Sequence, residues 1–257
     1  MCHDITGLPP PPPIAGGSGA ASGARLILDA ADGNRSRAFA ATAIDPQAPA
    51  IVILPDVRGL HPFYEDLAIR FAEAGIHATA IDYFGRTAGI GDRDEDFDFR
   101  AHVKQMTDEG TSADIAAAIE HVRSEPGGGA ERLFTVGFCM GGRISFAQAA
   151  ERDELSGVIG FYGSPTGRGP DDPRAPIALV PSFRCPVLGL FGGADDGIPA
   201  EELDRFRRSM DEAGLPNEIV VYPGAPHSFF DRTSERHREA CEDAWRRMLT
   251  FVRTGRV

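Results

Sequence analysis

Residues 135–146 read TVGFCMGGRISF. The apolar run RLFTVGF (132–138) ends in a Gly137-Phe138-Cys139-Met140-Gly141 step. A helical pattern, GGRISFAQAAER (141–152), comes directly after it. Strand, tight turn and helix around G-x-C-x-G is the setting of a nucleophile elbow, with cysteine in place of serine. The chemistry explains the residue types. A strained turn lifts the nucleophile out of the sheet, and side chains at the flanking positions would collide with backbone, so Gly137 and Gly141 fit. A helix beginning here points its positive end at the sulfur and favours thiolate. The Met140 N–H, next after the nucleophile, is placed to meet a developing oxyanion. The competing reading is packing, because a free cysteine is among the most buried residue types.

Outward from this stretch, short apolar runs alternate with helical patterns. ARLILDA (24–30) and SRAFAATA (36–43) read as an opening antiparallel pair. APAIVILP (48–55) is a continuous apolar run, as expected of a strand covered on both faces. PFYEDLAIRFAEAG (62–75) is helical, and IHATAID (76–82) is a strand. TSADIAAAIEHVRS (111–124) is a helix with Thr111 or Ser112 as its N-cap and Asp114 in its first turn. SGVIGFYG (156–163) and CPVLGLFG (185–192) are further strands, and PAEELDRFRRSMDEAG (199–214) is an amphipathic helix. NEIVVYPG (217–224) is a strand, and SERHREACEDAWRRMLTFVR (234–253) a long terminal helix. Such alternation predicts an α/β fold: a mostly parallel central sheet with helices on both faces. Residues 1–24, with LPPPPPIAGGSGAASGA, read as a flexible tail, and 25–257 as one domain. Cys2 and His3 in that tail make a poor metal site.

Sites in such sheets gather at the carboxyl ends of strands. Past residue 192 comes GADDGIP, where Asp195 or Asp196 is placed to orient a histidine. Asp195 is favoured, because Asp196 abuts Gly197 in the turn. Past residue 224 comes APHSFFDR, with His227. Nucleophile, acid, histidine is the chain order of the α/β-hydrolase fold. Of the seven histidines, His3, His102, His121 and His237 fall in the tail or on helix surfaces. His77 sits in a strand, and His61 comes after the PDVRGL loop; both read as structural. Cys185 and Cys241 read as packing residues.

Composition narrows the function. Acidic side chains outnumber basic ones 38 to 26, for a net charge of −12. Nucleic acid is therefore not an expected partner, since phosphate neutralisation needs a basic face. The acidic run GDRDEDFD (91–98) reads as a solvated loop, not a metal site. No apolar stretch approaches the ~20 residues of a membrane span. There is no secretory signal pattern. Four scattered cysteines with no CxxC argue for reduced thiols and a cytoplasmic setting.

On the pieces ILPDVRGL, AIDYFGR, GFCMGG, FGGADDGIP and PHSFFDR, in that order, residues 25–253 resemble the dienelactone hydrolase (carboxymethylenebutenolidase) family. The resemblance implies a Cys139–Asp195–His227 triad. The reaction it implies is hydrolysis of an enol-lactone, dienelactone to maleylacetate, or of a related activated, carboxylate-bearing ester. No metal or organic cofactor is implied, and the expected partner is a small, anionic ester or lactone substrate; the chain itself is expected to be a monomer or small homo-oligomer. The resemblance also implies an acid that takes the thiol proton, matched here by Asp56 where the family has Glu. A second oxyanion donor falls at the Val57 N–H. One carboxylate-binding arginine matches Arg86. The second aligns with Asp231, a departure from the pattern, with Arg232 beside it. Arg58 is a further candidate. The alternatives are a broad carboxylesterase or thioesterase on the same scaffold, and a non-catalytic binding protein.

Overall fold

The structure is a computed structural model and describes residues 7–13, 23–94, 96–167 and 172–257. Cys2, His3 and the Gly/Ser/Ala stretch 14–22 lie outside the described residues. Of the leader, Leu8 is exposed while Pro9 is buried. The chain divides into two compact units, residues 1–133 and 134–257.

The first unit contains β1 (Gly23–Asp29), β2 (Arg35–Ala41), β3 (Ala50–Leu54), α1 (Pro62–Glu73) and β4 (His77–Ile81). The short helices α2 (Gly85–Ala88) and α3 (Phe99–Val103) and the longer α4 (Asp108–Arg123) come next. Its strands lie in the order β1-β2-β4-β3. β1 and β2 form the expected antiparallel pair, β2 is also antiparallel to β4, and β3 runs parallel to β4. Every side chain of β3 and β4 is buried. In a strand successive side chains point to opposite faces, so both faces are covered. α1 buries Phe63, Tyr64, Leu67 and Phe71, the stripe its 3.6-residue period presents.

Three expectations shift. The helix expected from residue 111 begins at Asp108, and its cap is Thr107, whose hydroxyl accepts from the Gly110 N–H at 3.1 Å. Asp108 and Glu109 in the first turn favour that earlier start through the helix dipole. β1 begins at Gly23 and not at residue 24. The acidic run is not wholly solvated: Asp92, Asp94, Asp96 and Asp98 are exposed, but Arg93 among them is buried. Its guanidinium donates to Asp82 at 2.7 Å and to the Gly89 and Gly91 carbonyls.

The second unit carries β5 (Leu133–Phe138), α5 (Met140–Glu151), β6 (Leu155–Phe161), α6 (Pro176–Leu179) and β7 (Val187–Gly192). α7 (Ala200–Glu212), β8 (Asn217–Tyr222) and α8 (Arg238–Thr254) complete it. The strand order is β5-β6-β7-β8, with β6, β7 and β8 parallel. β5 and β7 are buried along their whole length. A set of aromatic rings fills the core of this unit, with Trp245 of α8 5.8 Å from Phe230 and Phe251 5.4 Å from Phe134. α8 starts at Arg238 and not at residue 234, after a run of turns. The helices α2, α3 and α6 are too short to leave a periodic signal in the sequence.

Candidate active site

In the second unit the loops after four strands carry the expected site residues or strained backbone. Cys139 comes immediately after β5, with φ 54° and ψ −114°. Among the described residues other than glycine, only Cys139 (φ 54°), Tyr162 (φ 37°) and Ser228 (φ 59°) have positive φ. For such residues this region is strained and is held only by its surroundings. The elbow depends on close backbone approach. A Cβ on Gly137 would lie 1.9 Å from the Gly141 carbonyl oxygen, and one on Gly142 would lie 2.5 Å from the Phe161 carbonyl oxygen. The Cys139 N–H donates to that same Phe161 oxygen at 3.0 Å. Met140 opens α5, and the first N–H groups of a helix have no acceptor within it.

The loops after β7 and β8 are tied together by their backbones. The Gly193 N–H donates to the Tyr222 carbonyl at 2.8 Å and the Ala194 N–H to the Ala225 carbonyl at 2.9 Å. This brings Asp195 to His227. Asp195 Oδ2 lies 2.6 Å from His227 Nδ1, and its Oδ1 accepts the Gly197 N–H at 3.0 Å. Asp196 is exposed. The His227 side chain is 35 % exposed and that of Asp195 5 %. Burial alone would lower the His227 pKa. The hydrogen bond to Asp195 and the hydrogen bond and negative charge of Cys139 outweigh it and push it up to about 10. The imidazole meets the Asp195 carboxylate through Nδ1, and Cys139 is among the groups that raise its pKa. The Tyr162 ring lies 4.9 Å from the imidazole, centre to centre. Tyr162 belongs to none of the quoted motifs, and Ser228 enters only as the residue after His227 in PHSFFDR; the hint at Tyr162 is a tyrosine set directly between an apolar run and Gly163.

The two other described cysteines are buried, whereas Cys139 is half-buried. Burial pushes the Cys185 and Cys241 thiols up to about 12. Asp231 is buried, and its Oδ1 accepts the Arg232 N–H at 2.7 Å. Arg232 is half-buried.

The remaining expected site residues lie in the first unit. Asp56 is buried, and its carboxylate holds Arg58: Oδ1 accepts the Arg58 N–H at 2.8 Å and both oxygens meet Nε at 3.1 Å. Burial would raise the Asp56 pKa, yet the Arg58 guanidinium holds it below its ordinary value. Val57, between them, is half-exposed. Arg86, on α2, is also engaged. Its guanidinium meets Asp32 at 2.6 and 3.1 Å and Asp114 at 2.9 and 3.2 Å. Asn34 closes the cluster by donating to Asp114 at 2.8 Å. His61 is buried against Tyr64, 4.8 Å between rings, and His77 accepts the Ala43 N–H at 3.1 Å.

Comparison with known proteins places the chain in a family. Residues 36–255 match the model of the dienelactone hydrolase family. A provisionally named carboxymethylenebutenolidase of Escherichia coli (strain K12) is 31 % identical over 214 residues, covering 81 % of this chain and 78 % of that protein. A provisionally named 2-oxo-3-(5-oxofuran-2-ylidene)propanoate lactonase of a Bradyrhizobium species is 27 % identical over 210 residues, 80 % and 83 % of the two chains. A crystal structure of a provisionally assigned dienelactone hydrolase from Klebsiella pneumoniae superposes with a TM-score of 0.81 at 29 % identity. It covers 92 % of this chain and all of that one. The chain thus belongs to the dienelactone hydrolase family: it has the α/β-hydrolase fold and is a carboxylic ester hydrolase.

Proposed function

We propose that the chain hydrolyses activated esters or lactones through a Cys139 nucleophile, with His227 as its acid–base partner and Asp195 as the group that orients His227. The observation that carries this reading is the 2.6 Å contact between Asp195 Oδ2 and His227 Nδ1, with Cys139 set at the strained turn past β5. The thiolate attacks the carbonyl carbon, and the Met140 N–H stabilises the resulting oxyanion. Collapse forms a thioester and expels the alkoxide or enolate, which takes the His227 proton. His227 then removes a proton from water as the water attacks the thioester. Release of the carboxylic acid restores thiolate and imidazolium. A thiolate is displaced from a tetrahedral intermediate more readily than a poor leaving group, which suits enol and aryl esters and disfavours amides. Thiol activation is assigned to His227 and not to Asp56, because the Asp56 carboxylate is clamped by Arg58.

Dienelactone is the first substrate to test, on the strength of the family and of the names its relatives carry. A second reading, a broad esterase for neutral esters, is favoured by the arginines. Arg86 and Arg58 each hold carboxylates of their own unit, and position 231 is an acid. Rates on dienelactone and on a neutral aryl acetate, for wild type and Cys139→Ala, separate the readings. Cys139→Ala is expected to lose at least about 10⁴-fold in kcat on either substrate, as for removal of a nucleophile. Retained turnover contradicts the nucleophile. A marked preference for dienelactone supports the anionic substrate, and equal or better rates on the aryl acetate support the neutral one.

A further inference from the structure

The strained residues of the second unit point beyond the three groups already given roles. Cys139 is one of them, and Ser228 adjoins His227, so two of three lie at the reacting side chains. The third is Tyr162, immediately past β6. A bulky aromatic at φ 37° is an outlier, and an ordinary core tyrosine has no need of that backbone. Its surroundings fix it there. The Tyr162 N–H donates to the Leu190 carbonyl at 2.9 Å, while the preceding Phe161 carbonyl accepts from Cys139 at 3.0 Å. The next residue, Gly163, is pressed against α5, where a Cβ would lie 2.3 Å from the Arg143 nitrogen. The ring is buried among aromatics, 5.8 Å from Phe161 and 5.8 Å from Phe229, and its nearest ring neighbour is His227 at 4.9 Å, tilted by 54°.

We propose that Tyr162 is a positioning residue for His227: its ring, delivered by the strained end of β6, fixes the plane in which the imidazole faces the Cys139 sulfur. The need for it comes from the geometry. The bond from Nδ1 to Asp195 holds one nitrogen of the imidazole, while the plane of the ring is set by the broad torsion about Cβ–Cγ and so by what packs against its face. A planar ring packed on its side narrows that torsion. The hydroxyl is not needed for this; the flat ring is. The inference rests on the assignment of Cys139 and His227 as the reacting pair.

The test compares Tyr162→Phe, which keeps the ring, with Tyr162→Met, which keeps volume without a plane. Tyr162→Gly removes ring and backbone strain together and serves if the Met variant does not fold. Phe146→Leu, a buried ring on α5 that packs on Phe191 and Phe206, controls for loss of core packing. The readouts are kcat and KM on a neutral aryl acetate, and the rate at which iodoacetamide alkylates Cys139 at neutral pH. Tyr162→Phe is expected to stay within about twofold of wild type. The ring-less variants are expected to lose about 10- to 100-fold in kcat, the scale of a misplaced catalytic group, with KM little changed and Cys139 alkylation slowed in parallel. A ring-less variant with wild-type kcat and alkylation overturns the proposal, as does a Phe variant that falls as far as Met. Failure of the underlying assignment is seen separately, as a wild-type Cys139 inert to iodoacetamide together with turnover in Cys139→Ala.

Discussion

Charge is handled differently by the arginine ion pairs of residues 1–133 and by the Asp195–His227 pair of residues 134–257, although the second unit has arginine ion pairs too, such as Arg247 on Glu218 and Asp243. In residues 1–133 charges close on one another: buried Arg58 on Asp56, buried Arg93 on Asp82, and exposed Arg86 on exposed Asp32 and buried Asp114. Each guanidinium is matched by carboxylates, and little of that charge is left to act. In residues 134–257 the Asp195 carboxylate pairs with a histidine and not with a guanidinium, and the imidazole is 35 % exposed. The backbone differs too: every positive-φ residue other than glycine that is described lies in the second unit. On the proposed function, strain and an ion pair that ends at a histidine mark the candidate site, and the arginine ion pairs mark scaffold.

The contrast breaks most visibly at Asp195. Asp195→Asn keeps the shape but loses the charge that orients and balances the imidazolium. It is expected to lower kcat about 10³- to 10⁴-fold in steady-state assays of an aryl ester, while thermal unfolding changes little. A loss of stability without loss of kcat would make Asp195 scaffold like the acids of the first unit.

The reverse holds for Arg58. Arg58→Ala leaves the buried Asp56 carboxylate unpaired and is expected to cost about 3–5 kcal/mol in chemical denaturation. Replacing both residues by apolar ones of similar volume is expected to recover much of that loss. A single variant as stable as wild type would show that the pair is not the closed unit described.

The smallest effect is a pH dependence. The folded-state pKa of His227, about 10, lies above its ordinary 6.5. Its contribution to stability is therefore fully present below about pH 6.5 and lost as pH rises through about 10. Melting temperatures across that window are expected to fall further for wild type than for His227→Gln. Parallel curves would argue against an imidazolium held by Asp195 and the sulfur.

Much of this is legible in the sequence, for physical reasons. Cys139, Asp195 and His227 each lie just past an apolar run, and a parallel sheet brings the residues beyond its strand ends together along one edge. The buried strands announce themselves as unbroken apolar runs, AIVIL and LFTVGF among them. The start of α4 is ambiguous in sequence because Thr107, Thr111 and Ser112 are all capable caps, and only the hydrogen bond to Gly110 decides among them. The arginines are not legible. Arg86 is far in sequence from Asp32 and Asp114, so its partners exist only in the folded chain. Arg93 is hidden inside an acidic run whose exposed neighbours give it a solvated look. The strain at Tyr162 leaves no mark in composition or periodicity.

The central claim, that Cys139 carries the acyl group, is tested most directly by acid-quenching the enzyme during turnover of an aryl acetate and mapping its peptides by mass spectrometry. The expected result is one acetyl group on the peptide containing Cys139, with Cys185 and Cys241 unmodified. An unlabelled Cys139 during sustained turnover, or an acetyl group reproducibly on another side chain, would contradict it.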